Sequence, residues 1–128
     1  TITFDEVLTN DLALTGRDDV VFRLVEALAR TKGVEMSIAY EVQSLRAVKN
    51  LVAKGIAATI MPYGAAEGEL RSGALRSRLI IQPSVVRTLQ FVSPPDQASV
   101  VDSPEFRAFI KAISDRLHAA PGPVTRQI

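Results

Sequence analysis

The chain contains no cysteine and no tryptophan, and a single histidine, His118. Without cysteine there is no disulfide framework and no thiolate chemistry, a composition that fits the cytosol. Long apolar runs are missing too: none approaches the ~20 residues a helix needs to cross a bilayer. No signal peptide stands at the start, and the first residue is Thr1 rather than methionine, which reads as a fragment or a processed form. An excess of one charge sign is also lacking. Lysine and arginine number 15 against 14 acidic residues, a formal net charge of +1. No basic face stands out, so direct contact of this segment with DNA is not expected.

Chemical motifs are equally sparse. There is no Ser-His-acid set, no metal-ligand spacing and no glycine-rich phosphate loop. Glu67 and Glu69 lie close in a glycine-interrupted segment and converge on nothing evident in the sequence. His118 falls near the end of a helical pattern, where a cation is favourable. No nucleophile or base has a partner, so the sequence reads as a non-enzyme, with no metal site and no cofactor.

What is present is a chain of 128 residues, 47% hydrophobic, able to bury a core. Its organising stretch is Val34–Tyr63. Met36 to Val42 suits a strand. Ser44 is placed to cap a helix, since its hydroxyl can accept from a first-turn amide. Leu45, Val48 and Val52, with Leu51 beside them, make a one-sided apolar stripe. Gly55 closes that helix in the left-handed conformation. Ile56 to Met61 carries no charge and reads as a strand buried on both faces, and Pro62 ends it. Strand, helix and strand make a βαβ unit, right-handed by the general rule.

Before this unit, Thr1 to Thr9 reads as an incoming strand or a short helical turn, and Asp11 to Thr15 as a strand. Thr15-Gly16-Arg17-Asp18 forms a tight loop, with Asp18 as cap of the next helix and Asp19 beside it near the positive end of the dipole. Val21, Leu24, Val25 and Leu28 mark that helix as amphipathic, and Lys32-Gly33 ends it. After Pro62, Tyr63 to Gly73 reads as a short helix broken at Gly68, followed by short strands at Leu79 to Ile81 and Arg87 to Val92. Ser93 to Asp96 is a break, and periodicity is weak up to Val101. Ser103-Pro104-Glu105 is a helix start, and Phe106, Phe109, Ile110, Ile113 and Leu117 form its stripe. Such a stripe is too apolar to face water: it folds back on its own sheet or pairs with the same helix of a second chain, and pairing is the expectation. Pro121 to Ile128 reads as a frayed tail.

The alternation of strands and helices predicts an α/β fold, mainly a parallel sheet with helices on both faces. Ligands on such sheets sit beyond the carboxyl ends of the strands. Three stretches are predicted to meet there: Thr15 to Asp18, Gln43 to Leu45, and Met61 to Gly64. Thr15, Gly16 and Arg17 offer a hydroxyl, an open amide and a guanidinium for an anion, or form an ordinary loop with a solvated arginine. Gln43 and Ser44 offer polar groups, Ser44 doubling as a cap or serving only as one. Tyr63, after Pro62, covers the cleft or packs on its own helix. Thr88 faces the cleft or a plain strand surface.

Glu41-Val42-Gln43-Ser44, Leu51-Val52-Ala53-Lys54-Gly55-Ile56-Ala57 and Ile60-Met61-Pro62 together resemble the effector-domain signature of LysR-type transcriptional regulators. The resemblance extends to Leu12 to Arg17, to Gly73-Ala74-Leu75, Pro83 and Arg87-Thr88-Leu89, and covers about Thr3 to Leu117. One departure is Ala57, where the family often has glycine. The resemblance implies a periplasmic-binding-protein-like (type II) lobe. It implies that residues 1–86 are the second regulatory subdomain with its incoming linker, that 87–120 return to the first subdomain as a strand and a helix, and that 121–128 are a tail. The implied function is sensing a small, possibly anionic effector in a cleft between two subdomains of a cytoplasmic homo-oligomeric regulator. Thr15, Gly16, Arg17, Gln43, Ser44, Pro62, Tyr63 and Thr88 are the implied contacts. Promoter DNA would be bound through a helix-turn-helix domain outside this chain, and no membrane is involved. A lobe of an extracytoplasmic solute-binding protein is the alternative on the same fold.

Overall fold

Thr3 and Glu6 set the first turn of the chain. The Thr3 hydroxyl accepts from the Glu6 N–H at 3.2 Å, and the Glu6 carboxylate accepts from the Thr3 N–H at 2.8 Å. This reciprocal capping box converts a short strand, β1 (Ile2–Thr3), into a helix, α1 (Phe4–Leu8). Both alternatives read for Thr1 to Thr9 are therefore realised in succession. The computed structural model describes residues 1–86, 90 and 92–119, with only the backbone described at 97, 98 and 117–119. The chain divides into two compact units, Thr1–Arg87 and Thr88–Ile128.

In the first unit, β2 (Leu12–Leu14) is buried along its whole length. Its side chains are covered by the surrounding core, and both of its edges are paired. On one side it pairs in parallel with β3 (Ile38–Glu41), in the register Leu12 with Ile38, Ala13 with Tyr40 and Leu14 with Glu41. On the other side Ala58 bridges to Leu12, also in parallel. The helix between β2 and β3, α2 (Val20–Lys32), buries Phe22, Val25 and Ala29. That face is turned slightly from the predicted stripe: Val25 lies at its centre, while Val21 and Leu28 pack at its margin. The core joins Phe4, Val7 and Leu8 of α1 to Leu12, Leu14, Phe22, Val25, Ala29 and Ile60. Each large side chain fully buried there contributes roughly 1.5–3 kcal/mol.

The helix α3 (Leu45–Ala53) follows β3 as predicted. Ser44 caps it by accepting from the Ala47 N–H at 3.4 Å. Gly55, with φ of +69°, closes it: its N–H donates to the Val52 carbonyl, and the Ile56 N–H donates to that of Leu51, the paired bonds of a Schellman ending. Val48 is buried, while Leu45 is 40% exposed.

The strand predicted over Ile56 to Met61 is not formed as such. Only Ala58 pairs: Ala13 N–H donates to its carbonyl at 2.8 Å, and its own N–H donates to Asp11 at 2.9 Å. The ladder stops because β2 ends at Leu14 and turns away into the Thr15 loop. Burial on both faces fails as well, since Ile56 is 45% exposed and Ile60 alone of the run is buried.

The helix α4 (Tyr63–Arg71) runs unbroken through Gly68, another departure from the prediction. A mid-helix glycine costs about 1 kcal/mol relative to alanine. Here ion pairs hold the segment on either side, Glu67 with Arg71 at 2.8 Å and Lys49 of α3 with Glu69. Then β4 (Ile80–Ile81) pairs in parallel with β1. The described first unit thus holds two small parallel sheets, β1–β4 and β2–β3.

In the second unit a 3-10 turn (Pro95–Gln97) and α5 (Ala98–Val101) occupy the segment read as weakly periodic. Proline and the Asp96 that follows favour a tight turn, so local chemistry makes a helix here that a longer period could not reveal. Then α6 (Pro104–Ala119) starts where predicted, with the Ser103 hydroxyl accepting from the Phe106 N–H at 3.2 Å. Phe109 is 59% exposed and Ile113 is 42% exposed. The predicted strand Arg87 to Val92 and the tail 121–128 lie wholly or mainly outside the described residues. Among the described residues no helix is long and apolar enough to cross a membrane.

Candidate functional site

The candidate site is assembled where β2 and β3 end. Because the strands are parallel, their carboxyl ends share one edge, tied by the Val42 N–H donating to the Leu14 carbonyl at 3.1 Å. From β2 the chain turns through Thr15, Gly16 and Arg17 into α2. The turn is closed by the Asp19 N–H, which donates to the Gly16 carbonyl at 2.8 Å. The helix cap is Asp19 rather than the predicted Asp18: its carboxylate accepts from Val21 at 2.7 Å and Phe22 at 3.4 Å. Asp18 is part of the turn itself, one residue too early to reach those amides.

Gly16 is buried against Gln43. A Cβ at position 16 would stand 2.7 Å from Gln43 Nε2 and 3.2 Å from its Oε1, so any larger residue there would have to displace the Gln43 side chain. Arg17 reaches along β3. Its backbone N–H donates to Glu41 Oε1 at 3.3 Å, and its Nε is 3.7 Å from Oε2 of the same carboxylate. Its guanidinium carbon lies 5.6 Å from the centre of the Phe22 ring, a cation–π distance. Ser44 is engaged as the α3 cap.

Pro62 stands as far past Ala58 as Gly16 stands past Leu12, which carries the third lead-out toward the same edge. It is the N-cap of α4 and supplies no capping side chain. The positive end of that helix is therefore not filled by a side chain, unlike those of α2 and α3. Tyr63 is the first residue of α4 and is half-buried. Of the predicted residues, Gly16, Arg17 and Gln43 are brought into one cluster, and Thr15 and Ser44 flank it in the chain. For Pro62 and Tyr63 the link to this edge is the parallel bridge at Ala58 alone. Thr88 lies outside the described residues.

Glu41 and Phe22 were not predicted as site residues. Glu41 was hidden because its partner Arg17 stands on the neighbouring strand's lead-out, 24 residues away in the chain. Phe22 was hidden because its role is a platform set by the rotation of α2. Elsewhere, Arg17 and Phe22 also line a groove of ≈ 280 Å³ with Glu26, Met36 and Ile38. A second groove of ≈ 510 Å³ lies between α3 and α4, lined by Arg46, Lys49, Asn50 and Leu75. At its side Lys49 holds Glu69 and donates to the Ala65 carbonyl at 3.3 Å. The Lys49 hydrogen bond keeps the Glu69 carboxyl below its ordinary value. Glu67 and Glu69 each have a basic partner, on their own helix and on α3 respectively. Among the described residues no cluster of His, Cys, Asp and Glu could hold a metal ion.

A guanidinium and a side-chain amide thus stand at the ends of parallel strands, groups able to hydrogen-bond a small polar molecule. The family comparison agrees in kind. The chain belongs to the LysR substrate binding domain family, whose model matches residues 1–118. Domains of this family have a periplasmic-binding-protein-like fold and serve regulators of transcription. No curated protein and no solved structure matches the chain.

Proposed function

We propose that this chain is the effector-sensing part of a bacterial LysR-type regulator, and that a small molecule binds beyond the carboxyl ends of β2 and β3. The observation that carries this reading is the convergence of Gly16, Arg17 and Gln43 at that edge. Thr15, Ser44, Pro62, Tyr63 and Thr88 complete the proposed contacts. Residues 1–86 act as the second regulatory subdomain with its incoming linker, and residues 87–120 return to the first. The regulator works in the cytoplasm as a homo-oligomer and meets promoter DNA through a separate helix-turn-helix domain. The near-balanced charge of this chain supports that division of labour.

A reporter assay in the regulator that carries this domain tests the reading. A charge-assisted contact contributes about 1.5–3 kcal/mol, so Arg17→Ala or Gln43→Ala is expected to raise the half-saturating effector concentration about tenfold or more. Operator binding without effector stays near wild type. An unchanged dose response in both variants moves the site elsewhere.

A further inference from the structure

We infer that the Arg17–Glu41 pair reads a zwitterion, so that the ligand is an α-amino acid or a close relative with adjacent carboxylate and ammonium groups. The inference rests on the proposed effector site at the strand ends and names its ligand class. Arg17 is the single basic side chain in the three lead-outs, and it carries a carboxylate of the protein's own. Glu41 Oε2 stands 3.7 Å from Arg17 Nε, and Oε1 accepts from the Arg17 backbone N–H. The net charge of the pair is zero, so a lone anion gains no overall Coulomb attraction there. A ligand with both signs does gain, because each end of it meets an opposite charge.

The geometry leaves both ends of the pair open to such a ligand. The guanidinium rests over Phe22, which fixes its underside. Among the described residues its other nitrogens make no hydrogen bond, and the side chain is 71% exposed. Those nitrogens suit the two oxygens of a ligand carboxylate. Glu41 is the last residue of β3 and is also exposed, with lone pairs free to accept from an ammonium. The contact between the two side chains is a surface ion pair, cheap to loosen. Gln43 packs its side-chain amide against Gly16 next to the pair.

The test is amide chemical-shift titration of this chain with the common α-amino acids, each beside the carboxylic acid that lacks its amino group. At least one amino acid is expected to shift the Gly16 and Arg17 amides with about tenfold or greater preference over its deaminated partner, the effect of one charge-assisted contact. Glu41→Gln is expected to erase that preference, by weakening the amino acid and strengthening the simple acid. Arg17→Ala is expected to weaken binding of both about tenfold or more. Simple acids binding these amides as well as amino acids in the wild type would overturn the zwitterion reading and leave the site standing. Failure of every amino acid to bind would overturn it too, with the dose-response assay then judging the site independently. Amino-acid binding that shifts only residues far from these loops would overturn both.

Discussion

At the level of single residues, Glu69 shows how a local contact becomes a pH dependence. Lys49 hydrogen-bonds its carboxylate from the neighbouring helix, and this is the largest cause of its pKa lying below the ordinary 4.5. A carboxyl depressed in the folded state stabilises the fold above its unfolded value and loses that contribution as pH falls through the folded value. Glu69→Gln is therefore expected to be less stable than the wild type in urea at neutral pH, with the gap closing at pH well below 4.5. A gap that persists unchanged in acid would show that the link between α3 and α4 is not electrostatic. Legibility in the sequence followed the range of each interaction. Ser44, Gly55 and Ser103 act on amides within a few residues, and each does what the sequence said. Glu69 finds Lys49 across two helices, and Arg17 finds Glu41 across two strands, so neither pairing could be read from neighbours in the chain.

At the level of elements, the same contrast decides which helices and strands were foreseen. Caps and stripes located α2, α3 and α6. The strand over Ile56 to Met61 was overcalled because a charge-free run says nothing about whether its partner is long enough to pair with, and β2 ends at Leu14. The break at Gly68 was overcalled because a glycine's cost of about 1 kcal/mol weakens a helix without ending it, and Lys49 of α3 holds Glu69 on the next turn, a contact that only the folded chain brings together. α6 presents the remaining question for an element. Phe109 and Ile113 on it are exposed, and burying each would contribute roughly 1.5–3 kcal/mol. We propose that this face meets its counterpart on a second copy around a two-fold axis. Sedimentation at micromolar concentration is expected to show a self-associated species that Phe109→Asp converts to monomer. A wild-type chain that sediments as a monomer would contradict this.

At the level of the whole molecule, the α/β class with parallel strands and the family were legible together, while the single sheet expected is two small ones among the described residues. The order of motifs from Leu12 to Pro62 resembles the family's, and the chain belongs to it. The meeting of the Thr15 and Gln43 loops was legible, because parallel strands put their carboxyl ends together, whichever side chains they carry. The charge partner of Arg17 was not legible. The central claim is that a small molecule binds beyond β2 and β3. The measurement that meets it most directly is amide-shift mapping of this chain with a ligand found by thermal-shift screening. The account predicts that the largest shifts fall on Gly16, Arg17, Gln43, Ser44 and Tyr63. Shifts confined to the groove between α3 and α4, at Arg46, Asn50 and Leu75, would contradict it.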